Sequence, residues 1–111
     1  MNIALDYDNT YTRDPILWNV FVANAIGLGH KVYCVTMRSP EEGLQVFHDL
    51  SGKVDGIFFT NRRAKKDFMF EQGISIDVWI DDMPFFIYSD ASDRPTAEVT
   101  TRLLRVYDFP N

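Results

Sequence analysis

Two pairs of aspartates follow short apolar runs that lie far apart in the sequence. Asp6 and Asp8 follow the first run, near the start of the chain, and Asp81 and Asp82 follow the other. If both runs are neighbouring parallel strands, the four carboxylates meet at one edge of the sheet. Carboxylates that lie so near one another cannot all stay ionised without a positive charge beside them. The cluster therefore nearly demands a divalent cation. We expect Mg²⁺, which prefers oxygen ligands and keeps coordination positions open for phosphate and water.

The one-residue spacing of Asp6 and Asp8 places two carboxylates near one point in different surroundings. One carboxylate can then bind the metal and act as a nucleophile, while the other transfers protons. Thr36 ends a third apolar run, and its hydroxyl can bind a phosphoryl oxygen. A lysine near the start of the third predicted helix can neutralise both the nucleophile and the phosphate. These residue types together indicate phosphoryl transfer.

The apolar pattern predicts four strands, at residues 3–5, 31–35, 56–59 and 76–80. Between them lie three predicted helices, which start at Asp14-Pro15, at the Ser39–Glu42 capping box and near residue 63. This alternation is typical of a parallel sheet with helices on both faces. We therefore expect the α/β class, as a Rossmann-like three-layer α/β/α sandwich with a mainly parallel sheet. Such sheets bind ligands at the carboxyl ends of their strands, where both aspartate pairs and Thr36 fall.

Helical spacing also predicts which apolar side chains of the first two helices face the sheet. In the first helix this face contains Leu17, Val20, Phe21, Asn24, Ala25 and Leu28, and in the second Leu44, Phe47 and Leu50. After the fourth strand, residues 84–88 fit one helical turn and 89–95 a polar loop. Residues 99–106 fit a helix, and a fifth strand at 102–109 is the alternative.

The bulk properties indicate one domain, residues 1–111, with enough apolar side chains to fill a core. Apolar residues make up 46% of the chain, and the net charge of −5 argues against broad binding to nucleic acid or anionic membranes. Cys34 is the sole cysteine, which excludes an intrachain disulfide and gives no support for a cysteine-based zinc site. No stretch has the pattern of a signal peptide or a transmembrane helix. We expect a soluble cytoplasmic protein.

With these motifs, the chain resembles the haloacid dehalogenase-like (HAD) superfamily of phosphohydrolases. Residues 6–10 resemble its first motif, D-x-D-x-T, Thr36 the second, and Asp81-Asp82 the fourth. Either Lys65 or Lys66 matches the third motif. Adjacent helix positions point about 100° apart, so only one lysine is expected to reach the metal centre, and Lys65 is favoured. The four motifs occur in the order of the family and lie within residues 3–82.

The resemblance implies a Mg²⁺-dependent phosphatase that acts on a phosphomonoester through an aspartyl-phosphate. Asp6 would be the nucleophile, and Asp8 would donate and then accept a proton. The metal would be held by the Asp6 carboxylate, the Asp8 main-chain carbonyl and the Asp81 carboxylate. Asp82 would join through a water or orient that shell. Thr36 and the lysine would hold the phosphoryl oxygens.

Family members often carry a cap domain, but neither usual insertion point has room for one here. The resemblance therefore implies a capless member with an exposed site, and Thr10 is expected to brace the Asp6 loop beside the substrate. Arg38 either touches the substrate or is a surface arginine. Arg62 either contacts further phosphates of the substrate or belongs to a solvated helix end. A nucleotide, a sugar phosphate or a phosphorylated polymer end would fit the site.

Phe85, Phe86 and Tyr88 are read mainly as core residues, with a contact surface for a homo-oligomer as the alternative. Two other functional classes share part of the pattern. A signalling receiver domain also uses acidic residues, Mg²⁺, Thr and Lys, but its phospho-acceptor aspartate ends the third strand. Here that strand ends in Thr60-Asn61. A catalytically idle HAD-like binding module is the other alternative, and the intact first motif argues against it.

Overall fold

Short parallel strands form the sheet that positions the helices and the loops around the site. The computed structural model describes residues 1–91, and within them four strands form one sheet: β1 (Asn2–Leu5), β2 (Lys31–Thr36), β3 (Gly56–Phe59) and β4 (Val78–Ile80). The strand order is β3-β2-β1-β4, and every neighbouring pair is parallel. This confirms the predicted α/β class and parallel sheet. The alternatives for 99–106 and 102–109 lie outside the described residues.

Four α-helices accompany the strands within residues 1–91: α1 (Pro15–Gly27), α2 (Leu44–Leu50), α3 (Lys65–Glu71) and the single turn α4 (Phe85–Tyr88). The predicted start of α1 is confirmed, since the Asp14 carboxylate accepts a hydrogen bond of 3.1 Å from the Leu17 N–H and Pro15 takes the first position. The turn predicted at residues 84–88 is also present. In this part of the chain, no helix has the length and apolarity needed to cross a membrane.

Two helices begin later in the chain than predicted. The Ser39–Glu42 capping box is formed, but it starts a 3₁₀ turn at Pro40–Glu42, and α2 begins only at Leu44. At α3, Asn61 and Arg62 have left-handed φ angles of 53° and 69°. These angles keep residues 61 and 62 out of the helix, which starts at Lys65 rather than near residue 63. Lys65 consequently occupies the first position of α3.

β4 is shorter than predicted, starting at Val78 rather than at residue 76. Its partner β1 begins at Asn2, and the ladder pairs Ile3 with Val78. Just before it, the Asp77 N–H donates to the Asn2 carbonyl at 2.8 Å, and the Asp77 carboxylate accepts from the Asn2 N–H at 2.8 Å. These two hydrogen bonds join the start of β1 to the residue before β4, at the end of the sheet that lies away from the aspartate pairs.

Alternate residues of the strands belong to two separate apolar clusters, because successive side chains of a strand point to opposite faces. The first cluster joins strand residues to buried side chains of α1 and α2: Ile3, Leu5, Val32, Cys34, Val22, Ala25, Val46 and Leu50. The second joins them to α3: Ala4, Val35 and Met69. The buried position of Cys34 matches its prediction as a small strand residue.

The predicted inward faces of α1 and α2 are partly wrong. Leu17 and Val20 are more than half exposed, and Leu44 is 85% exposed, while Val22 and Val46 are buried in their place. α1 is apolar on almost every face, so helical periodicity alone does not select the side that meets the sheet. Packing against β1 and β2 makes that selection.

Candidate active site

The ends of β1 and β4 bring the two aspartate pairs together. Leu5 pairs with Ile80 as the last step of the ladder, and the Asp6 N–H extends it by donating to the Ile80 carbonyl at 2.9 Å. Asp6 and Asp81 therefore follow adjacent strand ends. The chain order also reverses between β1 and β4, and open parallel sheets bind ligands in the crevice at such a switch point.

Lys65 lies between the two strand ends. Its Nζ donates to Asp6 Oδ1 at 2.7 Å and to Asp81 Oδ2 at 2.6 Å, and all three side chains are buried. We call Asp6, Lys65 and Asp81 the buried charge cluster. The other candidate, Lys66, turns away, with its Nζ 5.6 Å from the ring centre of Tyr88. The late start of α3 thus aims Lys65 at the aspartates.

Burial sets the protonation of this cluster. It raises the pKa of Asp6 to about 8, an increase that the Lys65 ammonium opposes and the Asp81 charge strengthens. Burial also raises the pKa of Asp81. For Lys65, burial acts to lower the pKa, but the two carboxylates outweigh it and raise the pKa above its ordinary value. One positive charge is therefore shared by two carboxylates; below about pH 8 a proton on Asp6 completes the balance, and a bound cation would replace that proton.

Thr10 links the loop after β1 to the end of β4. Its hydroxyl lies 2.9 Å from Asp6 Oδ2 and 3.2 Å from Asp82 Oδ1, and it accepts from the Asp82 N–H at 3.2 Å. These contacts fit the bracing role that the first motif implies for Thr10. They also hold Asp82 beside Asp6.

Three carboxylates are close enough to bind one metal ion. Asp6, Asp81 and Asp82 each offer an oxygen, and these oxygens lie within 4.8 Å of one another. An all-oxygen donor set suits a hard divalent cation such as Mg²⁺. The carboxylate of Asp8 points elsewhere, and the part assigned to its main-chain carbonyl in binding metal stays a prediction.

Arg38 holds the Asp8 side chain. Its Nε donates to Asp8 Oδ2 at 2.9 Å and its Nη2 to Asp8 Oδ1 at 2.8 Å, in a bidentate pair. The guanidinium lies 5.1 Å from the ring centre of Tyr7, the residue between the two aspartates of the motif. Sequence reasoning left Arg38 as a substrate contact or a surface residue and missed this pairing. The Asp8–Arg38 bond links the loop after β1 to the loop after β2.

Glu42 organises the neighbouring arginines. Its carboxylate accepts from Arg62 at 2.7 and 3.2 Å, and its main-chain carbonyl accepts from Arg38 at 2.8 Å. Hydrogen bonding from Arg62 lowers the pKa of Glu42 to about 2. We call Asp8, Arg38, Glu42 and Arg62 the outer charge network. Sequence reasoning assigned Glu42 only to a capping box, and that motif carries no signal for its second role.

A cleft of about 240 Å³ opens over these groups. Seven of the predicted site residues line it: Asp6, Asp8, Thr36, Arg62, Lys65, Asp81 and Asp82. Thr36 is buried at the end of β2, where its hydroxyl accepts from the Arg38 N–H at 3.3 Å. Thr10 and Arg38 contact the lining carboxylates but do not line this cleft.

Sequence reasoning missed the apolar part of the cleft. Met37, Met83, Phe86 and Ala91 also line it. Three of these lie in residues 83–91, here called the rim segment. The Ala64 N–H donates to Asp90 Oδ1 at 2.6 Å, and the Ala91 N–H donates to the Arg62 carbonyl at 2.7 Å. The sequence did contain a signal for two of these residues. Met37 directly follows Thr36, which ends β2, and Met83 directly follows Asp82, which comes just after β4.

Comparisons of the chain with protein-family models, with curated proteins and with solved structures found no match.

Proposed function

We propose that this protein is a Mg²⁺-dependent phosphatase that hydrolyses a phosphomonoester through an aspartyl-phosphate on Asp6. The observation that carries the proposal is the contact of Lys65 with both Asp6 and Asp81, which brings three separate elements to the switch point of the sheet. A buried carboxylate beside a fixed ammonium and further carboxylates suits a nucleophile that works with a metal.

The chain's own residues supply the steps of the reaction. An Asp6 oxygen forms a bond to phosphorus as the bond to the leaving oxygen breaks, and Asp8, once its carboxyl group is released from Arg38 and protonated, gives that oxygen a proton. A water then attacks phosphorus, Asp8 takes the proton of the water, and Asp6 is released with inorganic phosphate. Lys65 and the Thr36 hydroxyl hold the phosphoryl oxygens. Mg²⁺, held by Asp6, Asp81 and Asp82 with the Asp8 carbonyl, would neutralise charge on the phosphoryl group.

The proposal includes a three-layer sandwich of the HAD type and a cytoplasmic location. Support for the layers comes from the two apolar clusters, one with α1 and α2 and the other with α3. Two observations weigh against a receiver domain. The order β3-β2-β1-β4 is that of the Rossmann type, not the 2-1-3-4-5 order of receivers. Asp55 lies at the opposite end of β3 from the cleft, where it accepts from the Val32 N–H.

The decisive experiment measures hydrolysis of p-nitrophenyl phosphate by the purified protein with and without Mg²⁺. Asp6→Asn keeps the size of the side chain but removes the nucleophile, and we expect turnover to fall by a factor of at least about 10³. Asp77→Asn makes the same chemical change at the far end of β4 and should leave turnover unchanged. Equal turnover by wild type and Asp6→Asn would refute the proposal.

Two further outcomes would identify the alternatives. A stable phosphoprotein formed from acetyl phosphate, without turnover, would point to a receiver. Binding of Mg²⁺ with neither turnover nor phosphorylation would point to an idle binding module.

A further inference from the structure

We infer that the leaving group of the substrate carries a flat aromatic ring, as in a nucleoside monophosphate, which packs on the apolar side of the cleft. The inference rests on the proposed function and names its substrate class. Met37, Met83 and Phe86 share the cleft with the residues proposed to hold the phosphoryl group. A ring attached to that group would lie within reach of them.

The residue types suit a ring. Phe86 offers an aromatic side chain, and aromatic rings stabilise one another by offset stacking or by edge-to-face contact. Met37 and Met83 add flexible, polarisable thioethers, which make favourable contacts with ring edges. Met37 directly follows Thr36 and Met83 directly follows Asp82, and all four side chains line the cleft. A substrate in this cleft would therefore meet both charged groups and apolar side chains.

The apolar side is fixed by hydrogen bonds before any ligand binds. The Met83 N–H donates to Asp81 Oδ1 at 2.9 Å. At the other end of the rim segment, Asp90 and Ala91 bond to the main chain of Ala64 and Arg62. A wall held at both ends loses little conformational entropy on binding, which favours affinity for a rigid ring.

A sugar phosphate fits this cleft less well. The charged side chains that line it already bond to one another or to neighbours: Lys65 to Asp6 and Asp81, Asp8 to Arg38, Arg62 to Glu42, and Asp82 to Thr10. The hydroxyls of a sugar would lose water against Met83 and Phe86 without gaining an equivalent partner there. The chemistry of the rim thus favours an aromatic leaving group over a polyol.

The test compares kcat/KM for adenosine 5′-monophosphate and ribose 5-phosphate, with Mg²⁺. Both substrates leave through the same kind of primary oxygen, and they differ in the base. We expect the nucleotide to be preferred about tenfold or more, and Phe86→Ala to remove most of that preference by lowering kcat/KM for the nucleotide alone. Phe86→Leu keeps apolar volume without the ring and should behave in the same way. Phe70→Ala, on the exposed side of α3, should leave both values unchanged.

Equal kcat/KM for the two substrates would overturn the inference. So would a Phe86→Ala protein that keeps its thermal midpoint yet loses activity equally on both, because that result assigns Phe86 a general role. Hydrolysis of p-nitrophenyl phosphate in the same preparation separates this failure from a failure of the proposed function. If that substrate is also left intact, it is the phosphatase proposal that fails.

Discussion

The buried charge cluster and the outer charge network contain ion pairs of nearly equal length in very different surroundings. The ion-pair contacts are 2.6 and 2.7 Å in the cluster, and 2.7 and 2.8 Å in the network. The cluster side chains are at most 9% exposed, whereas those of the network are 28–49% exposed. Distance alone therefore says little about what each pair contributes, because burial raises both the desolvation cost and the strength of the interaction.

The two regions also differ in charge balance. In the outer network, Asp8 is matched by Arg38 and Glu42 by Arg62. In the buried charge cluster, two carboxylates share the single ammonium of Lys65. A bound cation would thus complete the cluster but would upset the network. Under the proposed function, the buried charge cluster would hold the metal, whereas the outer charge network joins the surrounding loops.

The largest expected effect on stability follows the loss of the Lys65 ammonium at the centre of the buried charge cluster. Lys65→Met leaves two buried carboxylates unpaired and should lower the free energy of unfolding by about 3–5 kcal/mol in the absence of divalent cations. Urea denaturation measures the change. The matched variant Lys66→Met alters an exposed side chain and should shift the value by less than about 0.5 kcal/mol. If the two substitutions lowered the free energy of unfolding equally, burial of Lys65 would not explain its contribution to stability.

The second effect is a pH dependence of stability in the metal-free protein. The pKa of Asp6 is about 8 in the folded state and 3.8 ordinarily, so between these values the folded protein binds more protons than the unfolded chain. Stability from this group is greatest below pH 3.8 and is lost as the pH rises through about 8. We expect a loss of about 3–4 kcal/mol between pH 5 and 8, and the opposing charge of Lys65 is already contained in the pKa of about 8.

Urea denaturation of wild type and Asp6→Asn across that pH range provides the measurement for this second effect. Asp6→Asn cannot ionise at position 6 and should show a flatter profile. Saturating Mg²⁺ should flatten the wild-type profile as well, because the ion replaces the proton. A wild-type stability that rises with pH over this interval would contradict the raised pKa.

The smallest effect belongs to the outer network. Arg38→Met removes the partner of the half-exposed Asp8 and should cost about 1 kcal/mol or less, with the difference shrinking at high salt. Arg63→Met breaks another exposed pair, with Glu71 at 2.6 Å, and serves as a control of similar exposure. The prediction would be contradicted if Arg38→Met lowered the free energy of unfolding as much as Lys65→Met and if the loss did not change with salt. Exposure would then not determine how much an ion pair contributes to stability.

Sequence reasoning reached the features that depend on strand ends and helix starts. The aspartate pairs meet because β1 and β4 are parallel neighbours, and α1 starts where Asp14 and Pro15 predicted. Such features depend on local residue types and on the regular geometry of parallel strands. They specify most of the buried charge cluster.

The outer network was beyond sequence reasoning because it depends on loop conformation. The left-handed φ angle of Arg62 and the 3₁₀ turn at Pro40–Glu42 bring Arg62 and Glu42 together, and neither conformation has a strong sequence signal. The bond between Arg38 and Asp8 likewise joins two loops that are 30 residues apart in sequence. The inward face of α1 was predicted only in part for a different reason, since its apolar residues surround the helix.

The short length of β4 has a consequence for how metal binding and folding are linked. This strand has three residues, pairs with β1, and leads directly into Asp81 and Asp82. Separation of β4 from the sheet would therefore move Asp81 and Asp82 away from Asp6. An ion bound by these three carboxylates would stabilise the pairing of β4 with β1. Slower hydrogen exchange of the Ile80 amide on addition of Mg²⁺ would reveal this stabilisation.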